Sequence, residues 1–164
     1  MDLQKIVRKS LIPMFYKEAQ LGRSIGRKNI KFKKELYKGI SRLLKKLDNH
    51  SLTNQHIRNE IKRISKSSHV TIGQAQKAIN VYLKYYCILT SKSQKVIKEL
   101  DCPLDSSIMK TFKTKSLKKQ HLKNMKDFNE YEKWQKHLYE KGSGIRLQPD
   151  IKTYDKKRIK KFLT

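Results

Sequence analysis

Thr71-Ile-Gly-Gln-Ala-Gln-Lys-Ala-Ile-Asn-Val-Tyr-Leu-Lys-Tyr-Tyr-Cys-Ile-Leu89 is the stretch whose reading decides the fold. Wound at about 100° per residue, it spreads Ala75, Ala78, Ile79, Val81, Tyr82, Leu83, Tyr85, Tyr86, Ile88 and Leu89 over a broad apolar arc. Gly73, Lys77, Asn80 and Lys84 fall on one narrow stripe, with Gln76 at its edge. A helix that is apolar nearly all round belongs inside a domain. Burying the stripe is then costly unless it meets a ligand, a wet cleft or polar partners. The pattern predicts a buried central helix over about 72–89, with Thr71 as its N-cap and Val70 stapling the first turn. The stripe is the first place to look for function.

Upstream, Ser51-Leu-Thr-Asn opens a helix to about Ser67 with Ile57, Ile61 and Ile64 inward. Before it, Ile30 to Asp48 places Leu36, Ile40, Leu43, Leu44 and Leu47 on one face. Residues 1–27 read as a helix interrupted at Pro13, followed by a loop marked by Gly22 and Gly26. Downstream, Thr90-Ser-Lys-Ser is a linker and Gln94 to Leu100 a short helix. Pro103 then breaks the chain, and Asp105 or Ser106 caps a helix carrying Ile108, Met109 and Phe112. Residues 113–126 are rich in lysine and poor in apolar groups, hence a loop or an arm that orders on a polyanion. Asp127 to Lys141 is a last clear helix, with Phe128, Tyr131, Trp134 and Leu138 at helical spacing, ended by Gly142-Ser-Gly144. No strand, repeat or second domain is visible. The expected fold is all-α: a compact multi-helix domain over 1–145, and a basic, partly flexible tail over 146–164 that packs on it or extends from it.

The 164 residues carry 40 Lys and Arg against 14 Asp and Glu, a formal net charge of +26, with 37% hydrophobic residues. So basic a chain repels itself unless it meets a polyanion. Nucleic acid, DNA or RNA, is the leading partner because neutralised phosphates release counterions. An acidic membrane surface is the runner-up. Successive helices carry basic faces without a matching acidic one, which points to a binding surface. Lys31, Lys34, Lys38, Arg58, Lys62 and Arg63 are the expected backbone contacts on the helices. Lys113, Lys115, Lys118 and Lys119 are those on the following loop. No run is long enough to span a bilayer, and the charged N-terminus lacks the apolar centre of a signal peptide. Cys87 and Cys102 fit packing roles in a reducing, cytoplasmic setting. No Cys/His cluster has zinc spacing, and no cofactor is expected. The oligomeric state is not legible.

Two pieces taken together, Ile72-Gly-Gln-Ala-Gln-Lys-Ala-Ile-Asn-Val-Tyr-Leu83 and Cys102-Pro-Leu-Asp-Ser-Ser-Ile108, resemble the helix-hairpin-helix superfamily of DNA glycosylases. The likeness covers about residues 70–109 and lies nearest the archaeal oxidised-guanine branch. The first piece looks like the family's glycine turn, lysine and apolar helix, with Ala75 where the second glycine stands. The second is similar to its Pro-apolar-Asp segment. The resemblance implies that Lys77 attacks the sugar C1′ and that Asp105 supports it. A deprotonated amine is needed for a Schiff base, and burial lowers a lysine pKa. Gln76, Asn80, Lys84 and Trp134 would then line the substrate, Trp134 as an aromatic wall for a flipped base. The same pattern also resembles small helical proteins of bacteria and phages. A non-catalytic DNA- or RNA-binding protein needs only the basic faces. A helical ribonuclease of the toxin type would use Arg63 and His69 as its Arg/His pair.

Overall fold

The computed structural model describes Ile25, residues 29–90 and residues 94–153. Apart from Ile25, the helix and loop expected over 1–27 lie outside the described residues. So do most of the linker after Thr90 and the basic end over 156–161. Among the described residues the chain is all helix and loop, with no strand. The elements are α1 (Ile30–Asp48), α2 (Asn54–Ser68), α3 (Ile72–Leu89), α4 (Gln94–Glu99), α5 (Ser106–Thr111), a 3-10 turn (Leu122–Asn124) and α6 (Phe128–Lys141). Helical backbone resumes over 148–153.

Each boundary has a local cause. The Asn29 side chain accepts from Phe32 N–H at 2.9 Å to start α1, and Lys45 and Lys46 occupy its last turn, where the helix dipole favours cations. Thr53 caps α2, and the Glu99 carboxylate accepts from Asn54 N–H at 2.7 Å. His69 ends that helix in the left-handed region, φ 53°. Thr71 and Gln74 then close a reciprocal capping box: Gln74 N–H donates to Thr71 Oγ1 at 3.2 Å and Thr71 N–H to Gln74 Oε1 at 2.9 Å. Asp105 caps α5 through Ser107 and Ile108 N–H, and Asp127 caps α6 through Asn129 N–H.

The predicted central helix is central. α3 is packed by α1, α2, the 3-10 turn and α6. Its Ala75, Ala78, Ile79, Tyr82, Leu83 and Tyr86 are buried with Leu43, Ile57, Ile61, Tyr131 and Trp134. Such side chains contribute about 1.5–3 kcal/mol each on leaving water. Two glycines set how closely the elements approach. At Gly39 a Cβ would lie 2.8 Å from Ile64 Cδ1, so α1 rests directly on α2. At Gly73 a Cβ would lie 2.4 Å from the Leu122 carbonyl oxygen and 2.9 Å from Met125 Cβ.

The lysine-rich segment after α5 is a loop held down on the fold rather than a free arm. Gly73 N–H donates to Met125 O at 3.0 Å, and Thr71 Oγ1 donates to Leu122 O at 2.7 Å. Met125 is fully buried and Leu117 nearly so. Past residue 145 the chain returns to the core, burying Leu147 and Asp150. No helix among the described residues is long and apolar enough to cross a membrane.

The close approach at Gly73 generates a stability prediction. Gly73→Ala gains about 1 kcal/mol of helix propensity, but its methyl collides with backbone that is itself hydrogen-bonded. Overpacking of this kind costs about 1–3 kcal/mol, so the variant should unfold at lower denaturant concentration than the parent in a urea titration. An unchanged or raised midpoint would show that the 112–127 loop is not fixed on α3.

Candidate functional site

The polar stripe of α3 meets protein. Gln76 is fully buried. Its Nε2 donates to the carbonyls of Gly73 and Leu104 at 3.0 and 2.9 Å, while its Oε1 accepts from Leu104 N–H at 3.1 Å and Asn80 Nδ2 at 3.2 Å. The amide therefore clamps the extended chain before α5 onto α3. Asn80 Nδ2 also donates to the Tyr131 hydroxyl at 3.0 Å. Lys84 Nζ lies 2.6 Å from Asp150 Oδ2, and both residues are buried. Trp134 is 0% exposed. Gln76, Asn80, Lys84 and Trp134, expected to line a substrate, lie in the packed interior. A side chain without exposed surface has nothing to offer a ligand unless the core opens.

Deeper in the fold lies a buried carboxylate that the sequence pattern did not single out. Asp101, 1% exposed, accepts from the Tyr131 hydroxyl at 2.7 Å and from Asn54 Nδ2 at 2.8 Å. Arg58 Nε donates to it at 3.1 Å, and Arg146 Nε stands 3.4 Å away as an ion contact. Burial, with the Asp101 charge adding to it, pushes the Tyr131 phenol well above its usual pKa, so it remains a donor. Alongside, Gln135 brackets Cys102, accepting from its N–H at 2.9 Å and donating to its carbonyl at 2.8 Å. The available signal is an acid flanked directly by apolar residues, Leu100-Asp101-Cys102-Pro103-Leu104.

The clamp at Gln76 brings Asp105 towards Lys77. Lys77 is half-buried, and desolvation lowers its pKa; the nearby Asp105 carboxylate opposes that shift without cancelling it. Asp105 itself uses Oδ1 to cap α5, at 2.8 and 2.9 Å from the Ser107 and Ile108 nitrogens. Gly73, the glycine that the resemblance would turn towards a phosphate, has its N–H taken by Met125 O and its open side covered by the 3-10 turn.

The expected backbone-contacting residues divide into two sets. Lys31, Lys34, Lys113, Lys115, Lys118 and Lys119 are exposed. Arg58 and Arg63 are instead committed to carboxylates. Arg58 joins Asp101 and Glu132, the latter at 3.2 Å. Arg63 joins Glu35 at 2.5 Å and Glu60 at 2.7 Å. Lys38 is exposed but paired with Glu35 at 3.1 Å, and Lys62 sits 3.8 Å above the Phe128 ring. Arg63 is thus engaged by carboxylates, while His69 is exposed at the end of α2.

A groove of about 470 Å³ runs along the outer face of α6, lined by Arg58, Asn129, Glu132, Lys133, Lys136, Tyr139 and Arg146. Sequence reasoning missed it, although Lys133, Lys136 and Tyr139 recur every third residue on the face opposite Tyr131, Trp134 and Leu138. Among the described residues, no three His, Cys, Asp or Glu side chains converge as metal ligands would. Burial pushes the Cys102 thiol well above its usual range, leaving it a packing group. Neither known families, nor curated proteins, nor solved structures contain a match to this chain.

The α1–α2 ion network gives a pH prediction. Hydrogen bonds from Arg63 and Lys38 hold the Glu35 carboxyl below its usual 4.5. At Glu60 burial pushes upward, and hydrogen bonds from Arg42 and Arg63 more than offset it. Both folded-state values lie below the unfolded ones, so their stabilisation is full above about pH 4.5 and is lost as pH falls further. Thermal melts from about pH 6 down to about pH 3 should show Glu60→Gln starting from a lower Tm and losing less on acidification than the parent. Parallel curves would remove the network from the acid sensitivity.

Proposed function

We propose that the protein binds nucleic acid, DNA in the first instance, through its basic helical surface. The observation that carries this reading is how the fold distributes its charges. Glu35, Glu60, Asp101, Glu132 and Asp150 are taken up in internal ion pairs. Glu99, Asp105 and Asp127 serve helix N-termini. Lys31, Lys34, Lys66, Lys115, Lys118, Lys119, Lys133 and Lys136 meanwhile project into solvent. The full chain carries a net charge of +26, and a phosphate backbone is the polyanion that such a basic surface suits. The preference for DNA rests on the resemblance over 70–109; RNA is the alternative partner.

Anisotropy titrations with labelled duplex and single-stranded oligonucleotides test this reading. Affinity should fall by about 10³–10⁵ between about 50 and 200 mM salt for about 6–10 neutralised phosphates. Lys118→Ala with Lys119→Ala should weaken all sequences alike and reduce the salt slope by about one for each phosphate no longer neutralised. Affinity that is flat with salt would defeat the proposal.

A second reading, a glycosylase or lyase activity at Lys77, is favoured by one observation: burial lowers the pKa of that amine beside Asp105. The neutral amine would add to the aldehyde carbon of an opened abasic sugar and expel water to form an imine. Borohydride treatment with DNA carrying uracil, oxidised guanine or an abasic site should then trap a covalent complex that Lys77→Ala abolishes. Absence of trapping on all three would remove the catalytic reading and leave a non-catalytic binder.

A further inference from the structure

The groove along α6 combines three features. Its two arginines are fixed from behind. Arg58 and Arg146 both reach Asp101, and Arg146 Nη1 also donates to the Lys98 carbonyl at 3.2 Å. Its two lysines are uncompensated: Lys133 and Lys136 are exposed and have no ion pair among the described residues, while Glu132, the groove's one acid, is paired with Arg58. Finally, it presents an aromatic ring. Tyr139 is 44% exposed, with the Arg146 guanidinium 4.9 Å from the ring centroid.

The turn after α6 brings Arg146 back to that ring. Ser143 and Gly144 follow α6 with φ of 51° and 84°, reversing the chain within two residues so that Arg146 returns beside Tyr139. A Cβ at Gly144 would lie 3.5–3.9 Å from Tyr139 Oη, Cζ and Cε2, so the turn runs past the hydroxyl end of the ring at ordinary contact distance. The Arg146 guanidinium thus lies over one face of a ring that remains 44% exposed.

We propose that this groove is the seat of an unpaired nucleic-acid strand, with Lys133 and Lys136 meeting successive phosphates and a base stacking on the Tyr139–Arg146 platform. The inference rests on the nucleic-acid reading above and deepens it. Fixed cations with an exposed aromatic are what single strands require: the charges track the backbone, and every base has a face to stack. A duplex keeps its bases in their own stack and has no use for Tyr139. Lys31 and Lys34 on α1 are exposed charges without an arginine stacked on an aromatic ring beside them among the described cation–ring contacts.

The test compares 12-nucleotide single strands of DNA and RNA with a DNA duplex of the same sequence, using the full chain and four variants. Tyr139→Ala should weaken single-strand binding by about 5- to 150-fold, the worth of one stacked base, with little change for duplex. Tyr139→Phe should bind single strands like the parent. Lys133→Ala with Lys136→Ala should lower the single-strand salt slope by about 1.4, two phosphates at about 0.7 each. Lys31→Ala with Lys34→Ala should weaken single strand and duplex equally. All substituted side chains are exposed, and matching circular-dichroism melts would establish that the folds are equivalent. If the parent binds none of the three nucleic acids, the nucleic-acid reading itself falls and takes this inference with it. If the parent binds and Tyr139→Ala binds as well, or loses duplex and single strand alike, the groove is not a single-strand seat.

Discussion

A carboxylate surrounded by apolar side chains has to be matched, because removing an ion from water costs several kcal/mol that only close cations and donors offset. Asp101 imposes that condition on distant parts of the chain. Tyr131 comes from α6, Asn54 and Arg58 from α2, and Arg146 from the turn after α6. Each reaches Asp101 only if its own segment is in register. The stripe of α3 enters the same network through Asn80 and Tyr131, and Gln76 pins the following residues at Leu104. A polar network of this kind tolerates few alternatives, since a half-satisfied one is worse than none. It is therefore the constraint from which the relative placement of α2, α3, α5 and α6 follows.

The same network accounts for the surface. Several of the acidic residues serve caps and internal ion pairs, while Lys31, Lys34, Lys115, Lys118 and Lys119 stay exposed. Stability and display are coupled through Asp101: the carboxylate that steadies the core also fixes the arginines of the α6 groove. Arg146, held this way, loses less freedom on meeting a stacked base than a solvent-mobile side chain does. That distinguishes the groove from the lysines of α1 and of the 112–121 loop.

Close approach is the second structural device, and it bears on the resemblance to helix-hairpin-helix glycosylases. Gly73 sits at the head of α3, where that likeness would have it expose backbone to a phosphate. Here its missing side chain instead admits the 3-10 turn, and its N–H is occupied by Met125. Lys77, one turn on, is half-buried with the Asp105 carboxylate near it.

The sequence by itself determined the all-helical class, the span and burial of α3, most helix boundaries and the excess of unmatched positive charge. These are local or additive properties: periodicity, capping side chains and a sum of charges are complete within short windows of chain. Tertiary structure alone decided what the polar stripe touches. Gln76, Asn80 and Lys84 look the same on a helical wheel whether they meet a ligand, solvent or Leu104, Tyr131 and Asp150. Those partners lie 28, 51 and 66 residues away in the chain. The same holds for Arg58 and Arg63, basic residues in a basic sequence until α2 packs them against Asp101, Glu35 and Glu60. Which charges face outward is settled by partners distant in sequence, and no pattern within one helix contains them.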